Sequence, residues 1–351
     1  MENDNTLEIV TADDIFTLLD QKETEIMEII EEAYRAHARG DTNCPHSLFL
    51  RLPGTNSRII ALPAYIDTEM EMAGLKWISS FPSNLGHGLP RASALIVLNS
   101  METGRAYAVM EGSIISAKRT AASAAVAASQ LIADRSSITS VGMIGCGEIN
   151  REVLGFLSKT FPQLGCVRIF DTNPGRAEAF GGYCEKRFSM TVRLERSIDE
   201  VLAGGQVISI ATTAATPHIQ TLLMCPSPTL ILHLSLRDIA PEALLAVDNI
   251  VDDVDHVCRE NTSLDLAAKA SGHRQFIRTT IGRILAGAAE TGAECGRITV
   301  FSPFGLGILD LALAGHVYKG ARAGNRTQII HGFHAAASLA LREEGLISQT
   351  S

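Results

Sequence analysis

A chain of 351 residues has room for two domains of ordinary size. Its 46% hydrophobic and 20% charged residues fit a globular protein with a large core, and its 5% aromatics offer little stacking surface for nucleic acid. A net charge of −9 repels phosphate backbones, and no apolar run reaches the ~18 residues that a membrane span needs. The seven cysteines (Cys44, Cys146, Cys166, Cys184, Cys225, Cys258 and Cys295) form no CxxC pair and are odd in number. They read as reduced thiols of a cytoplasmic protein, not as a disulfide framework or a zinc site. His87, His218, His233 and His316 lack metal-ligand spacing. The acidic, polar stretch Met1–Asp13 is no signal peptide.

Residues 13–39 place Ile15, Leu18, Leu19, Ile26, Ile29 and Ile30 at helical spacing and predict an amphipathic helical start. Residues 46–111 change character. The runs HSLFLRL, RIIALPAYI, MAGLKWISSF, ASALIVLNS and AYAVMEG are broken at Pro53-Gly54, Asn84–Pro90 and Glu102–Gly104 and predict an antiparallel meander. Within it, Trp77 reads as core and Met101–Gly104 as a hairpin turn. Ser113–Ala133 is Ala-rich and helical. A βαβ pattern follows: SVGMI (140–144), the turn GCGEIN, the helix REVLGFLSKTF and the strand CVRIFD. Further strands are predicted at 207–211, 229–235 and 249–253, so strands alternate with helices as in a doubly wound parallel sheet. The tail, 310–345, reads as helical.

The strand 140–144 runs into Gly145-x-Gly147-x-x-Asn150 and then a helix. The first glycine permits a tight turn, and the second lets the backbone approach a pyrophosphate seated on the helix N-terminus. Asn150 stands where Gly or Ala is usual, so the turn by itself also suits an α/β protein without a cofactor. Asp171 ends the second strand, placed to hold a ribose diol and to repel a 2′-phosphate. That favours NAD over NADP, with Arg176 as the opposing signal.

The segments GLKWISS (74–80), AVMEGSIISAKRTAASAAVAA (108–128), IGCGEI (144–149), Thr212-Thr213 and FSPFGLGILDLALA (301–314) resemble the ornithine cyclodeaminase/mu-crystallin family. The likeness covers roughly residues 45–345, and Lys118–Ala122 ahead of the glycine turn is its most specific part. It implies a Rossmann sheet (119–309) inserted in a second α+β domain (1–118 plus 310–351) whose antiparallel strands close a barrel with a second subunit. Within the family, RIIALP (58–63), Lys76–Ile78, Asn84, Arg91–Ser93 and LRD (236–238) are similar to the branch that oxidises N-(2-amino-2-carboxyethyl)-L-glutamate with NAD⁺ to give L-2,3-diaminopropionate and 2-oxoglutarate, for siderophores and peptide antibiotics. The cyclodeaminases carry a Glu where this chain has Ile60 and a GDxPGKxEL segment where it has RDIAPEAL (237–244), so an anchor for a distal amine is missing. Cyclodeaminase, alanine dehydrogenase and ketimine reductase activities remain as alternatives within the family, and a ligand-binding role like that of mu-crystallin as one outside catalysis.

Hydride transfer at a carbon bearing nitrogen needs a nicotinamide, a carboxylate anchor and an acid/base. The resemblance implies Asp238 as acid/base. It implies Lys76 as a second catalytic group, able to orient water or polarise the imine, and Arg51, Lys76, Arg119 and Gly305 as substrate residues. For the cofactor it implies Arg119, Thr120, Gly145, Gly147, Glu148, Ile149, Asp171, Thr212, Thr213, His233, Ser235 and Phe304. Arg58 and Arg91 are surplus cations suited to a substrate with three carboxylates, since arginine pairs bidentately with a carboxylate. Asp310 reads as a residue that caps or orients the FGLG turn, as readily structural as functional.

Overall fold

The computed structural model describes residues 5–68, 71–292 and 296–335. Cys295 and the part of the expected helical tail beyond 335 lie outside the described residues. The chain opens with β1 (Thr6–Val10), α1 (Ala12–Leu19) and α2 (Glu23–Arg39). The predicted helical start is thus two helices, parted at Gln21, whose φ of 57° no helix accommodates. Thr11 caps α1, accepting a hydrogen bond from the Asp14 N–H, and Gly40 ends α2 in the left-handed conformation.

β2 (Thr42–Asn43), β3 (Leu48–Arg51), β4 (Arg58–Ile66), β5 (Met72–Ser80), β6 (Ala92–Asn99) and β7 (Ala106–Glu111) come next. β3 to β7 pair antiparallel as the predicted meander. β1 joins parallel to β7, which makes the sheet mixed. Side chains alternate between the faces of a strand, and opposed residues of an antiparallel pair share a face. Arg51 opposes Arg58, Arg58 opposes Ser80, and Leu62 opposes Lys76. Lys76, Arg58 and Arg51 therefore share the inner face, while Trp77 must point the other way. Trp77 is 37% exposed, and Leu48, Leu50 and Leu95 are exposed beside it on the outer face. The expectation that Trp77 is core is corrected by this alternation.

α3 (Ser113–Leu131) leads from the meander to the second sheet. It packs on α2 and on the helix after β8, and its run of buried alanines lets those neighbours approach closely. Tyr34 of α2 meets Ser123 of α3 at 2.7 Å, which satisfies two buried hydroxyls.

The second sheet contains β8 (Ser140–Ile144), β9 (Cys166–Phe170), β10 (Thr191–Leu194), β11 (Val207–Ile210), β12 (Thr229–His233), β13 (Asp248–Val251), β14 (Ile277–Thr280) and β15 (Ile298–Ser302). Interleaved with them are α4 (Glu148–Thr160), α5 (Pro174–Phe188), α6 (Ile198–Gly204), α7 (Pro241–Leu245), α8 (Val254–Val257), α9 (Ser263–Ser271) and α10 (Ile281–Leu285). The order β10-β9-β8-β11-β12-β15-β13-β14 is parallel throughout, the doubly wound Rossmann arrangement. The chain order reverses between β8 and β11, so the crevice for a ligand opens at their carboxyl ends. α11 (Gly307–Ala323) returns to pack on β4, β5 and α2. The tail then departs from its expected helix: β16 (Gln328–His331) pairs antiparallel with β1, its four residues free of the core and satisfied by the edge of the mixed sheet. No helix among the described residues is long and apolar enough to cross a membrane.

Candidate active site

The glycine turn follows β8. Gly145 has a φ of 89°, and a side chain there would collide with the Ala211 carbonyl. Gly147 starts α4 with open space where a Cβ would stand. Asn150, the irregular third position, is fully buried. Its amide donates to the carbonyls of Ile144 (3.0 Å) and Gly145 (2.6 Å), and its oxygen accepts from the Ser209 hydroxyl at 2.6 Å. It thus pins the turn to β11 without intruding into the phosphate position. Asp171 accepts from the N–H groups of Cys146 and Asn173, both at 2.8 Å, which fixes its carboxylate beside the turn. Glu148 and Ile149 form the first turn of α4, and Thr213 is exposed after β11. These features suit an adenosine diphosphate half-cofactor: a pyrophosphate at Gly147 and a ribose at Asp171.

Asp238 lies fully buried in the loop after β12. It accepts hydrogen bonds from Thr212 and from Ser235 (2.5 Å), and it pairs with His233 Nε2 at 3.2 Å. Burial pushes its carboxyl up, but these bonds outweigh burial and hold it at about 2. His233 Nδ1 leans on Ser302 at 3.2 Å. Three residues expected at the cofactor (Thr212, His233 and Ser235) therefore converge on Asp238.

Lys76 on β5 is 2% exposed, and Asp310 in the first turn of α11 is fully buried. Lys76 Nζ lies 2.6 Å from Asp310 Oδ2 and donates to Ser116 at 3.1 Å. Arg119 of α3 donates from Nε to Asp310 Oδ1 at 3.0 Å. Burial lowers the Lys76 ammonium to about 8, Arg119 adds to the fall, and Asp310 opposes it. The far end of Arg119 rests on Gly305, whose φ is 94° and where a Cβ would come within 2.7 Å of Nη1. Thr120 turns back onto the Ser116 carbonyl at 2.7 Å. The expected brace of the FGLG turn is corrected: Asp252 takes that role, accepting from the N–H groups of Phe304 (2.9 Å) and Gly305 (2.7 Å). Asp310 begins the helix that follows and faces the two cations instead. Sequence reasoning undervalued Asp310 because both of its partners lie far away in the chain.

Arg51 and Arg58 occupy the rim of the same inner face, and Arg91, just before β6, is near enough for its charge to act on Arg58. Arg51 pairs with Glu260, crosses the Phe49 ring at 5.3 Å, and is mostly exposed. Arg58 is half-buried, and its Nε has no hydrogen-bond partner. Burial and the charges of Arg237, Arg91 and Arg51 all lower its pKa. Arg237 was not among the expected site residues, hidden beside its neighbour Asp238. Phe304 stacks edge-on to Phe49 at 6.5 Å and so joins the parallel-sheet side to the meander side.

A doubly wound sheet with a dinucleotide turn, facing a meander lined with cations, defines a Rossmann-type α/β protein of two sheets. The sequence pattern of the ornithine cyclodeaminase/mu-crystallin family matches residues 8–325, and the chain belongs to that family. It is 29% identical over 325 residues to an alanine dehydrogenase of Archaeoglobus fulgidus, covering 90% of this chain and 96% of that one. To N-((2S)-2-amino-2-carboxyethyl)-L-glutamate dehydrogenase of Staphylococcus aureus it is 27% identical over 307 residues, covering 85% and 90%. A solved archaeal alanine dehydrogenase dimer with bound NAD superposes with a TM-score of 0.83 at 28% identity, covering 93% of this chain and 99% of that one.

Proposed function

We propose that this chain is an NAD-dependent oxidoreductase acting on the C–N bond of an amino acid, and that its substrate is N-(2-amino-2-carboxyethyl)-L-glutamate. The observation that supports the substrate is the surplus of cations at the cleft: Arg51 and Arg58 on the inner face, with Arg91 acting on Arg58, stand beyond Lys76 and Arg119. A substrate with three carboxylates uses such a surplus; alanine or ornithine does not. Ile60 offers no anchor for a distal amine.

NAD⁺ bound at the Gly145 turn supplies the hydride acceptor. Lys76 and Arg119 hold the glutamate α-carboxylate, kept in place by their shared partner Asp310. As hydride leaves the glutamate Cα, the nitrogen lone pair forms the C=N bond and the nitrogen sheds a proton. Asp238, an anion at neutral pH, is the group that accepts it and then directs water onto the imine carbon. Collapse of the adduct breaks the C–N bond, with the proton returned to the departing amine, and gives L-2,3-diaminopropionate and 2-oxoglutarate.

The same reading divides the chain into a substrate and dimerisation domain (1–118 plus 310–351) and a cofactor domain (119–309). The exposed outer face of the meander, with Leu48, Leu50, Trp77 and Leu95, is the surface a second copy would cover to make a homodimer. The reaction is tested by incubating the protein with NAD⁺ and N-(2-amino-2-carboxyethyl)-L-glutamate and following NADH absorbance. NADH formation with diaminopropionate as product is expected. No NADH, with proline formed from ornithine, would overturn the reading.

A further inference from the structure

Four arginines act on one another at the rim of the cleft: the charges of Arg237, Arg91 and Arg51 all bear on Arg58. Arg51 and Arg58 are opposed cross-strand partners, a like-charge pair that costs stability. Arg58 opposes Ser80, and Ser80 opposes Ala92, next to Arg91, so a third guanidinium lies one strand further over. Arg237 approaches from the other wall, its Nη2 donating to the Glu260 carbonyl at 2.9 Å, while the Glu260 carboxylate takes Arg51. Burial lowers the Arg237 guanidinium, Glu260 offsets part of that, and Arg51 adds repulsion. Among the largest charges acting on Arg58, Glu260 is the one that opposes the arginines. Glu260 and Asn261 both have left-handed backbone, with φ of 61° and 54°, a conformation that costs energy in non-glycine residues. The arginine cluster thus sits at the end of β4 and β5, four residues or ~13 Å of strand from Lys76.

We propose that Arg237 completes a second carboxylate subsite with Arg51, Arg58 and Arg91, which takes the distal carboxylates of the substrate and makes Arg237 a specificity-determining residue. The inference rests on the dehydrogenase reading of the same cleft and deepens it. Glu260 neutralises part of the cluster in the free protein and yields Arg51 to an incoming carboxylate. A monocarboxylate gains nothing from this subsite, whereas a tricarboxylate gains bidentate pairs.

The test is calorimetric titration of the NADH-saturated protein with tricarballylate, glutarate and propionate. In the wild type, tricarballylate binds about tenfold more tightly than propionate, the value of one charged pair, and glutarate lies between them. Arg237→Ala loses that preference while its affinity for propionate stays the same. Arg58→Gln, read by the same titration, serves if the first variant does not fold, and it also loses the preference. Equal binding of the three anions by the wild type, or an equal loss for tricarballylate and propionate in the variants, overturns the subsite. If the dehydrogenase assay fails while the tricarballylate preference persists, the reaction is wrong and the subsite is supported. NADH production without that preference overturns the subsite alone.

Discussion

The two walls of the cleft are built by opposite means. The parallel-sheet wall offers a ligand main chain and small groups: a glycine turn, a helix N-terminus and one acid held by two N–H bonds. The meander wall uses long cationic side chains set by strand register. Main-chain recognition is compact and charge-poor, and it suits a cofactor common to many reactions. Side-chain recognition is costly, because buried cations need partners, but it can be retuned one residue at a time. On the proposed reading the meander wall carries most of the carboxylate recognition, joined by Arg237 from the parallel-sheet wall, which also holds the cofactor.

That division can be broken at its strongest point. Asp238→Asn removes the charge on which Thr212, Ser235 and His233 converge. Turnover should fall by about 10²–10⁴-fold, the worth of a general acid–base group, with NADH affinity by fluorescence titration unchanged. A matching loss of NADH binding would mean that Asp238 belongs to the cofactor wall.

Asp310→Asn comes next. It leaves Lys76 and Arg119 buried without their counter-ion, a change that costs about 3–5 kcal/mol. Urea denaturation should show that loss, and substrate KM should rise with it. A stable variant with an unaltered KM would remove the charge knot from the site.

Asp171→Asn keeps the geometry of the acceptor but discards its charge. Preference for NAD⁺ over NADP⁺ should fall by about tenfold, as expected for one charged hydrogen bond, measured as the ratio of kcat/KM values. The smallest effect concerns pH. Lys76 is protonated below about 8 and neutral above it, so carboxylate binding is strong below that point and weakens as pH rises through it. KM should climb in that direction in the wild type and stay level in Lys76→Arg, because arginine keeps its charge. Parallel profiles would exclude Lys76 as the anchor.

The parallel sheet was largely legible because its signals are local. Strand, turn, helix and acid lie within Ser140–Asp171, and each has its own residue signature. The short strands β10, β14 and β15, at four or five residues, carry too little periodicity to announce themselves. The edge pair of β1 and β16 depends on a contact between the two ends of the chain, which no local pattern encodes. Trp77 could have been placed correctly: once Lys76 faces inward, strand alternation turns its neighbour outward. Asp310 could not, since its partners come from β5 and α3. Asn150 looked like a defect in a fingerprint and is instead the clasp that holds the turn.

Arg119 and Asp310 are 191 positions apart, and Lys76 is further still from Asp310. The counter-ion for both buried cations arrives only with α11, after the whole parallel sheet has been made. Lys76 and Arg119 therefore gain their shared counter-ion only once α11 has been made and docked, so a chain that ends before α11 lacks the acid that pairs the two buried cations.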